Sequence, residues 1–234
     1  MTDKTIELID PRKQDYFYEE AIKTLRTNIQ YIGKDIKSIL FTSCFPNEGK
    51  SDITMQLAKE LGNLNKKVIF VDTDIRKSAL LSRYQIQKKT QGLSQFLSGQ
   101  VNAGRIIYNT NFPNVDIILS GPAAPNPSEL LEEKVFGSLI EALKTKYDYV
   151  LIDTPPVRSV TDAAVVARQC DGVVFVVECE AVSYRVAQKA KEQMEKTGCK
   201  LLGVVLNKVD TKKDKYYNKY GYYYSSKNKG QKKK

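Results

Sequence analysis

Three short polar clusters, each at the end of an apolar run, hold the residues of this chain best suited to chemistry. In Thr42-Ser43-Cys44-Phe45-Pro46-Asn47-Glu48-Gly49-Lys50-Ser51, an apolar run passes into a loop that opens a helical stretch. A loop placed in this way turns backbone N–H groups and a helix N-terminus toward phosphate oxygens. Gly49 permits close backbone approach, Lys50 can reach the β- and γ-phosphates, and Ser51 can ligate Mg²⁺. Pro46, Asn47, Glu48 and Asp52 complete the candidate nucleotide-binding run. The general phosphate-loop pattern has glycine five positions before Gly49. Cys44 stands there instead, at a cost in backbone freedom but without loss of a catalytic group.

The second cluster is Asp72-Thr73-Asp74-Ile75-Arg76, behind Val68-Ile69-Phe70-Val71. Side chains alternate along extended backbone, so Asp72 and Asp74 are expected on the same side. Two carboxylates aimed at one phosphate site repel unless a cation lies between them. The spacing therefore suits Mg²⁺, with one Asp free to orient an incoming hydroxyl. The third cluster is Asp153-Thr154-Pro155-Pro156, where Asp153 can hold Mg²⁺ through a water. A single Asp at a strand end is usually a cap; three stations in register argue for a shared site. Lys50, Asp72, Asp74 and Asp153 are the candidate catalytic set. Asn207-Lys208-Val209-Asp210 fits a guanine-reading pattern, and Asn207 can equally read adenine.

The intervening sequence supplies elements that position these clusters. Residues 16–32 have helical spacing, with Phe17, Ala21, Ile22, Leu25, Ile29 and Ile32 near one face. Strand-like runs fall at Ser38–Ser43, Lys67–Asp72, Val115–Leu119, Tyr149–Asp153, Val173–Val177 and Leu201–Leu206. Helical stretches are expected at Asp52–Leu64, 127–146, 161–169 and 183–197. Alternation of this kind predicts βαβ units, a mostly parallel sheet flanked by helices, and ligand binding at the carboxyl ends of the strands.

With 234 residues and 41% apolar content, the chain is expected to form one α/β domain over residues 1–210, followed by a tail at 211–234. No run approaches the ~20 apolar residues of a membrane span. Four cysteines without metal or redox spacing, and no secretory leader, suggest a reduced cytoplasmic setting. The chain has no histidine, so a proton acceptor must be a carboxylate or another group.

The net charge of +10 is concentrated at the end: nine lysines against Asp214 give residues 211–234 a net +8. This tail also holds Tyr216, Tyr217, Tyr220, Tyr222, Tyr223 and Tyr224. Lysines and aromatics interleaved can stack on single-stranded nucleic acid or dock on an anionic membrane, and such composition is also that of a solvated end. Beside a Mg–ATP site, phosphorylation accounts for both the tyrosines and their polar setting. Each phosphate adds about −1.5 to −2 charges, so modification of four to six would bring the tail to neutral or below.

These clusters resemble the bacterial tyrosine kinase (BY-kinase) family, in particular the separate kinases of capsule and exopolysaccharide assembly. The likeness extends to Gly92-Leu93-Ser94 and to the loop Gly121–Leu131, and covers residues 16–224. It implies a P-loop NTPase fold of the deviant Walker, ParA/MinD-like type, with ATP and Mg²⁺ as cofactors and autophosphorylation of the tyrosine tail. It assigns Lys50 and Ser51 to the phosphates and Mg²⁺, Asp72 and Asp153 to the metal, and Asp74 to the hydroxyl nucleophile. It also implies a membrane-embedded polysaccharide co-polymerase as activator, a cognate tyrosine phosphatase, location at the inner face of the membrane through that activator, and a homo-oligomeric ring, an octamer being one such form. Nucleic acid is not an expected partner.

The family's ring motif is Glu-x-x-Arg-x-x-Arg; here it is Glu20, Lys23 and Arg26, and lysine lacks the bidentate fork. Read alone, the three are a common solvated helix face. Asn47 replaces a usual Gly at little expected cost. Asp52 follows Ser51 where Thr or an apolar residue is usual, and a carboxylate turned inward there would repel phosphate. Rival readings are a ParA/MinD-type ATPase, a GTPase, and a nucleotide-gated scaffold of an export complex. The first typically has a second lysine where this chain has Ser43-Cys44-Phe45.

Overall fold

The central segments are buried, rich in β-branched residues and apolar on both faces, so they pair into a sheet that helices must cover on both sides. The computed structural model describes residues 4–10, 15–33, 35–88, 90–159 and 161–210. The strands are β1 (Thr5–Ile6), β2 (Ser38–Ser43), β3 (Val68–Asp72), β4 (Ile107–Thr110), β5 (Val115–Ile118), β6 (Tyr149–Asp153), β7 (Gly172–Glu178) and β8 (Lys200–Asn207). Their order is β1-β4-β5-β3-β6-β2-β7-β8. All neighbours run parallel except β4 and β5.

The helices are α1 (Tyr16–Tyr31), α2 (Lys50–Asn63), α3 (Leu80–Arg83), α4 (Leu93–Leu97), α5 (Ala103–Ile106), α6 (Pro127–Glu132), α7 (Lys134–Lys146), α8 (Asp162–Ala167) and α9 (Tyr184–Glu195). Two apolar clusters cover the sheet. One gathers Leu40, Ile69, Val71, Ile152 and Val173 with residues of α6 to α9; the other gathers Ile39, Phe41, Phe70, Leu151 and Val174 with residues of α1 and α2. Alternate residues of each central strand thus enter opposite layers, as pleating requires.

The six expected strands and the helices around them are present, with ends moved by a residue or two. The expected helix over 127–146 is two helices: Glu133 has extended backbone (ψ 143°), which lets Leu131 and Phe136 each be buried. The short elements β1, β4, α3, α4 and α5 lacked a periodic signal because each is too brief to show one. The tail at 211–234, with its six tyrosines, lies outside the described residues. Among the described residues no helix is long and apolar enough to cross a membrane.

Candidate active site

The strand order puts β3, β6 and β2 side by side, so their carboxyl ends bring the three polar clusters to one edge. A cavity of about 330 Å³ opens there, lined by Asn47, Gly49, Lys50, Ser51, Asp74, Arg76, Lys77, Arg83 and Asp153 among others. This is the switch-point position at which open α/β sheets bind nucleotides.

The phosphate loop is shaped by its own side chains. Gly49 has φ +91° and caps α2; Asn47 has φ +66°, which Asn tolerates. A side-chain carbon on Gly49 would sit 2.1 Å from Asn207 Nδ2. Asn207 Nδ2 donates to the Glu48 carbonyl at 2.8 Å, so the end of β8 braces the loop. The Glu48 side chain is buried and folds back to accept from the N–H groups of Cys44 (2.7 Å) and Phe45 (3.2 Å). Of Glu48, therefore, the backbone and not the carboxylate is left for phosphate. Cys44 is fully buried and is not among the positive-φ residues, so glycine is not required there. Burial, reinforced by Glu48, pushes its thiol up to about 11 and leaves it a core residue.

The expectation that Asp72 and Asp74 project together on extended backbone is corrected: β3 ends at Asp72, and Ile75 N–H donates to the Thr73 carbonyl at 2.9 Å in a tight turn. Asp72 is almost completely buried. It accepts from Ser78 Oγ at 2.5 Å and from Asp74 N–H at 3.1 Å. Asp74 faces the cavity and accepts from Lys77 N–H at 3.0 Å. Burial, and after it the charge of Asp153, pushes the Asp72 carboxyl up to about 7 against those two hydrogen bonds. Burial also raises Asp153, while Lys50 and Ser51 pull it back.

The site's fit to Mg²⁺ rests on an orphaned atom. Asp153 Oδ1 is buried without a hydrogen-bond partner, next to Ser51, the phosphate-loop hydroxyl. Among the described residues no group of three or more Cys, His or acidic side chains could hold a metal alone. Mg²⁺ usually takes one or two carboxylates and draws its other ligands from phosphate and water, and the open Oδ1 of Asp153 beside the Ser51 hydroxyl is the start of such a set.

Several partners escaped sequence reasoning. Arg76 forks onto Asp162 through Nε (2.6 Å) and Nη2 (2.9 Å), and Ser128 Oγ joins both. Asp162 is fully buried at the start of α8, where its only sequence signal was that of a helix-start acid. Asp52 does not enter the cavity: its carboxylate meets Arg83 at 3.1 Å. On α1, Glu20 and Lys23 are exposed and bond each other at 2.7 Å, while Arg26 turns in to Glu60 of α2 at 2.9 Å. A second groove, of about 610 Å³, runs beside the loop between α1 and β8 and includes Asn207 and Asp52.

Residues 47–200 match the family described as an AAA domain. Tyrosine-protein kinase CpsD of Streptococcus agalactiae is 39% identical over 219 residues, covering 92% of this chain and 96% of the relative. Tyrosine-protein kinase YwqD of Bacillus subtilis is 34% identical over 206 residues, covering 87% of this chain and 85% of its own. Among solved structures, the chimerical protein CapA2B2 superposes with TM-score 0.78 at 33% identity, covering 87% of this chain and 93% of that one. The kinase domain of Escherichia coli tyrosine kinase ETK gives 0.77 at 29% identity over 82% of this chain and 75% of that one. The septum site-determining protein MinD of Pyrococcus horikoshii, in a complex with Mg-ADP, gives 0.65 at 26% identity over 74% and 71%. A P-loop edge with an added Asp72–Asp74–Arg76 station, on a chain related to these kinases along most of its length, belongs to the bacterial tyrosine-protein kinase family.

Proposed function

We propose that this kinase transfers the γ-phosphoryl group of ATP to its own C-terminal tyrosines, between neighbouring subunits of a ring, and thereby regulates assembly and export of a capsular or extracellular polysaccharide. The observation that supports this reading is the position of Asp74 in the same cavity as Lys50, Ser51 and Asp153. Loop N–H groups and Lys50 hold the phosphates. Asp72, Asp153 and Ser51 would hold Mg²⁺, which would supply neutralisation of the negative charge on the phosphates. Asp74 accepts the hydrogen bond of the incoming tyrosine hydroxyl and orients it. Asp72 fixes the Asp74 turn by accepting its N–H.

A ring is favoured because a short tail reaches a neighbour's site more easily than it folds into its own; exposed Glu20 and Lys23 are available for such contacts. The partners this reading requires are a membrane-embedded activator that brings the kinase to the inner face of the membrane, and a phosphatase that resets the tail. The tail would act as an electrostatic switch, leaving acidic and anionic surfaces once phosphorylated.

Intact mass after incubation with Mg–ATP tests the proposal. A ladder of added phosphates, absent from Lys50→Met and from a chain with the six tail tyrosines changed to Phe, is the expected result. ATP hydrolysis without added mass, even with the activator's cytoplasmic segment fused, would overturn tyrosine transfer in favour of a scaffold ATPase.

A further inference from the structure

Among the described residues, four cationic side chains line the phosphate cavity: Lys50, Arg76, Lys77 and Arg83. They are not equally available. Arg76 is committed to Asp162 by a two-pronged fork to a fully buried carboxylate. Arg83 is held far more lightly, by one Nη1–Oδ1 contact of 3.1 Å to Asp52, with both side chains about 30% exposed. A single exposed contact of this kind is worth little, because water and salt compete with it.

The position of Arg83 is as telling as its weak tether. Asn47, Gly49 and Arg83 line both the phosphate cavity and the groove between α1 and β8. Among the described residues, Arg83 is the one charged side chain shared by the two. Its charge also reaches the buried carboxylate of Asp153. An adenine nucleotide occupying both spaces would therefore pass its phosphate chain by this guanidinium. A planar fork of donors suits phosphate oxygens better than it suits one edge of Asp52.

We propose that Arg83 is a phosphate-binding residue of this kinase, parked on Asp52 in the free enzyme and handed over to the phosphate chain when Mg–ATP enters. The inference rests on the nucleotide site described above and adds a residue to it. It gives Asp52 a role: a holder that keeps Arg83 near the loop, and whose own charge Arg83 offsets until the nucleotide arrives. Once Arg83 leaves, the Asp52 carboxylate stands unpaired at the first turn of α2. Binding thus exchanges one ion pair for a stronger one, and the positive end of the α2 dipole accommodates the carboxylate left behind.

Equilibrium binding of Mg–ADP and a non-hydrolysable Mg–ATP analogue to the full chain provides the test, with wild type, Arg83→Ala, Asp52→Asn and the double variant compared. A charge-assisted hydrogen bond of ordinary strength predicts roughly a tenfold loss or more for Arg83→Ala. Arg83→Lys should recover part of it, and circular dichroism should match wild type. Asp52→Asn should tighten binding about threefold to tenfold by freeing Arg83, and this gain should vanish in the Arg83→Ala background. Unchanged affinity in Arg83→Ala would overturn the proposal. So would an equal gain from Asp52→Asn with and without Arg83, since Asp52 would then act by simple repulsion. Wild-type protein that binds neither nucleotide would overturn the nucleotide site itself, a different failure.

Discussion

Asp72 and Asp153 are register partners on β3 and β6, so two buried carboxylates meet side by side at the carboxyl edge of the sheet. Sequence spacing had paired Asp72 with Asp74; the ladder pairs it with Asp153 instead, and the consequences are electrostatic.

The pH dependence follows from that pairing. In the fold Asp72 is held up to about 7 by burial and the charge of Asp153, against an ordinary value of 3.8. The folded state therefore keeps a proton that the unfolded chain gives up. Stability from this group is greatest below about pH 4 and is lost as pH rises toward 7. Asp72→Asn should flatten that slope and raise the Tm at pH 8 by about 2–4 °C, the shift expected for about 1 kcal/mol in a chain of this size. Calorimetry at pH 5 and pH 8, with wild type as reference, checks it. The same variant should lose tyrosine phosphorylation.

Gly49 and Asn207 form a second testable pair. Gly49→Ala forces both a strained left-handed backbone and a 2.1 Å clash with Asn207 Nδ2. Nucleotide binding should be lost. Asn207→Ala removes the brace on the Glu48 carbonyl and should cost about 1 kcal/mol of stability together with a several-fold weaker nucleotide affinity. Adding Asn207→Ala to Gly49→Ala should restore only part of the binding, because the backbone strain remains. Titration calorimetry separates the two contributions.

The Arg76–Asp162 fork predicts an asymmetry. Arg76→Ala strands a fully buried carboxylate and should destabilise the fold by about 2–3 kcal/mol, less than the loss for a fully buried pair because Arg76 is partly exposed. Arg76→Ala combined with Asp162→Ala should cost less than the single change. Urea unfolding of the three variants decides it; equal costs for the single and double changes would remove the stranded-charge explanation.

Arg26 bears on assembly. Because it bonds Glu60 within the same chain, Arg26→Ala should lower monomer stability by up to about 1 kcal/mol. Glu20→Ala and Lys23→Ala, on an exposed face, should leave stability within about 0.5 kcal/mol. Light scattering of all three at matched stability tests the proposed ring: a loss of assembly in any variant supports it, and no change in all three removes this helix from the contact.

The legible and illegible parts of this molecule divide along physical lines. The strands around the site announced themselves because Leu40, Phe41, Ile69, Phe70, Leu151 and Ile152 are apolar on both faces, which only a covered parallel sheet explains. Lys50, Ser51, Asp74 and Asp153 could be placed at one edge because each closes such a run or opens the helix after it. What the sequence withheld was pairing between distant side chains. Asp162 lies 86 positions from Arg76, and no local pattern links them. Arg83 sits in a four-residue helix with no apolar rhythm to orient it. Asp72 and Asp74 were misjudged because alternation holds only while the strand lasts, and it stops at Asp72.

The central position of β2 has a consequence for synthesis. Its neighbours in the sheet are β6 and β7, and the Thr154 hydroxyl that bonds the Phe41 carbonyl at 3.0 Å comes 113 residues later. A chain emerging from the ribosome exposes its phosphate-loop strand long before either flank exists. The catalytic edge thus closes late, by slow non-local pairing. Until β6 has been made, an unfinished chain lacks Asp153, and with it the third polar station of the edge.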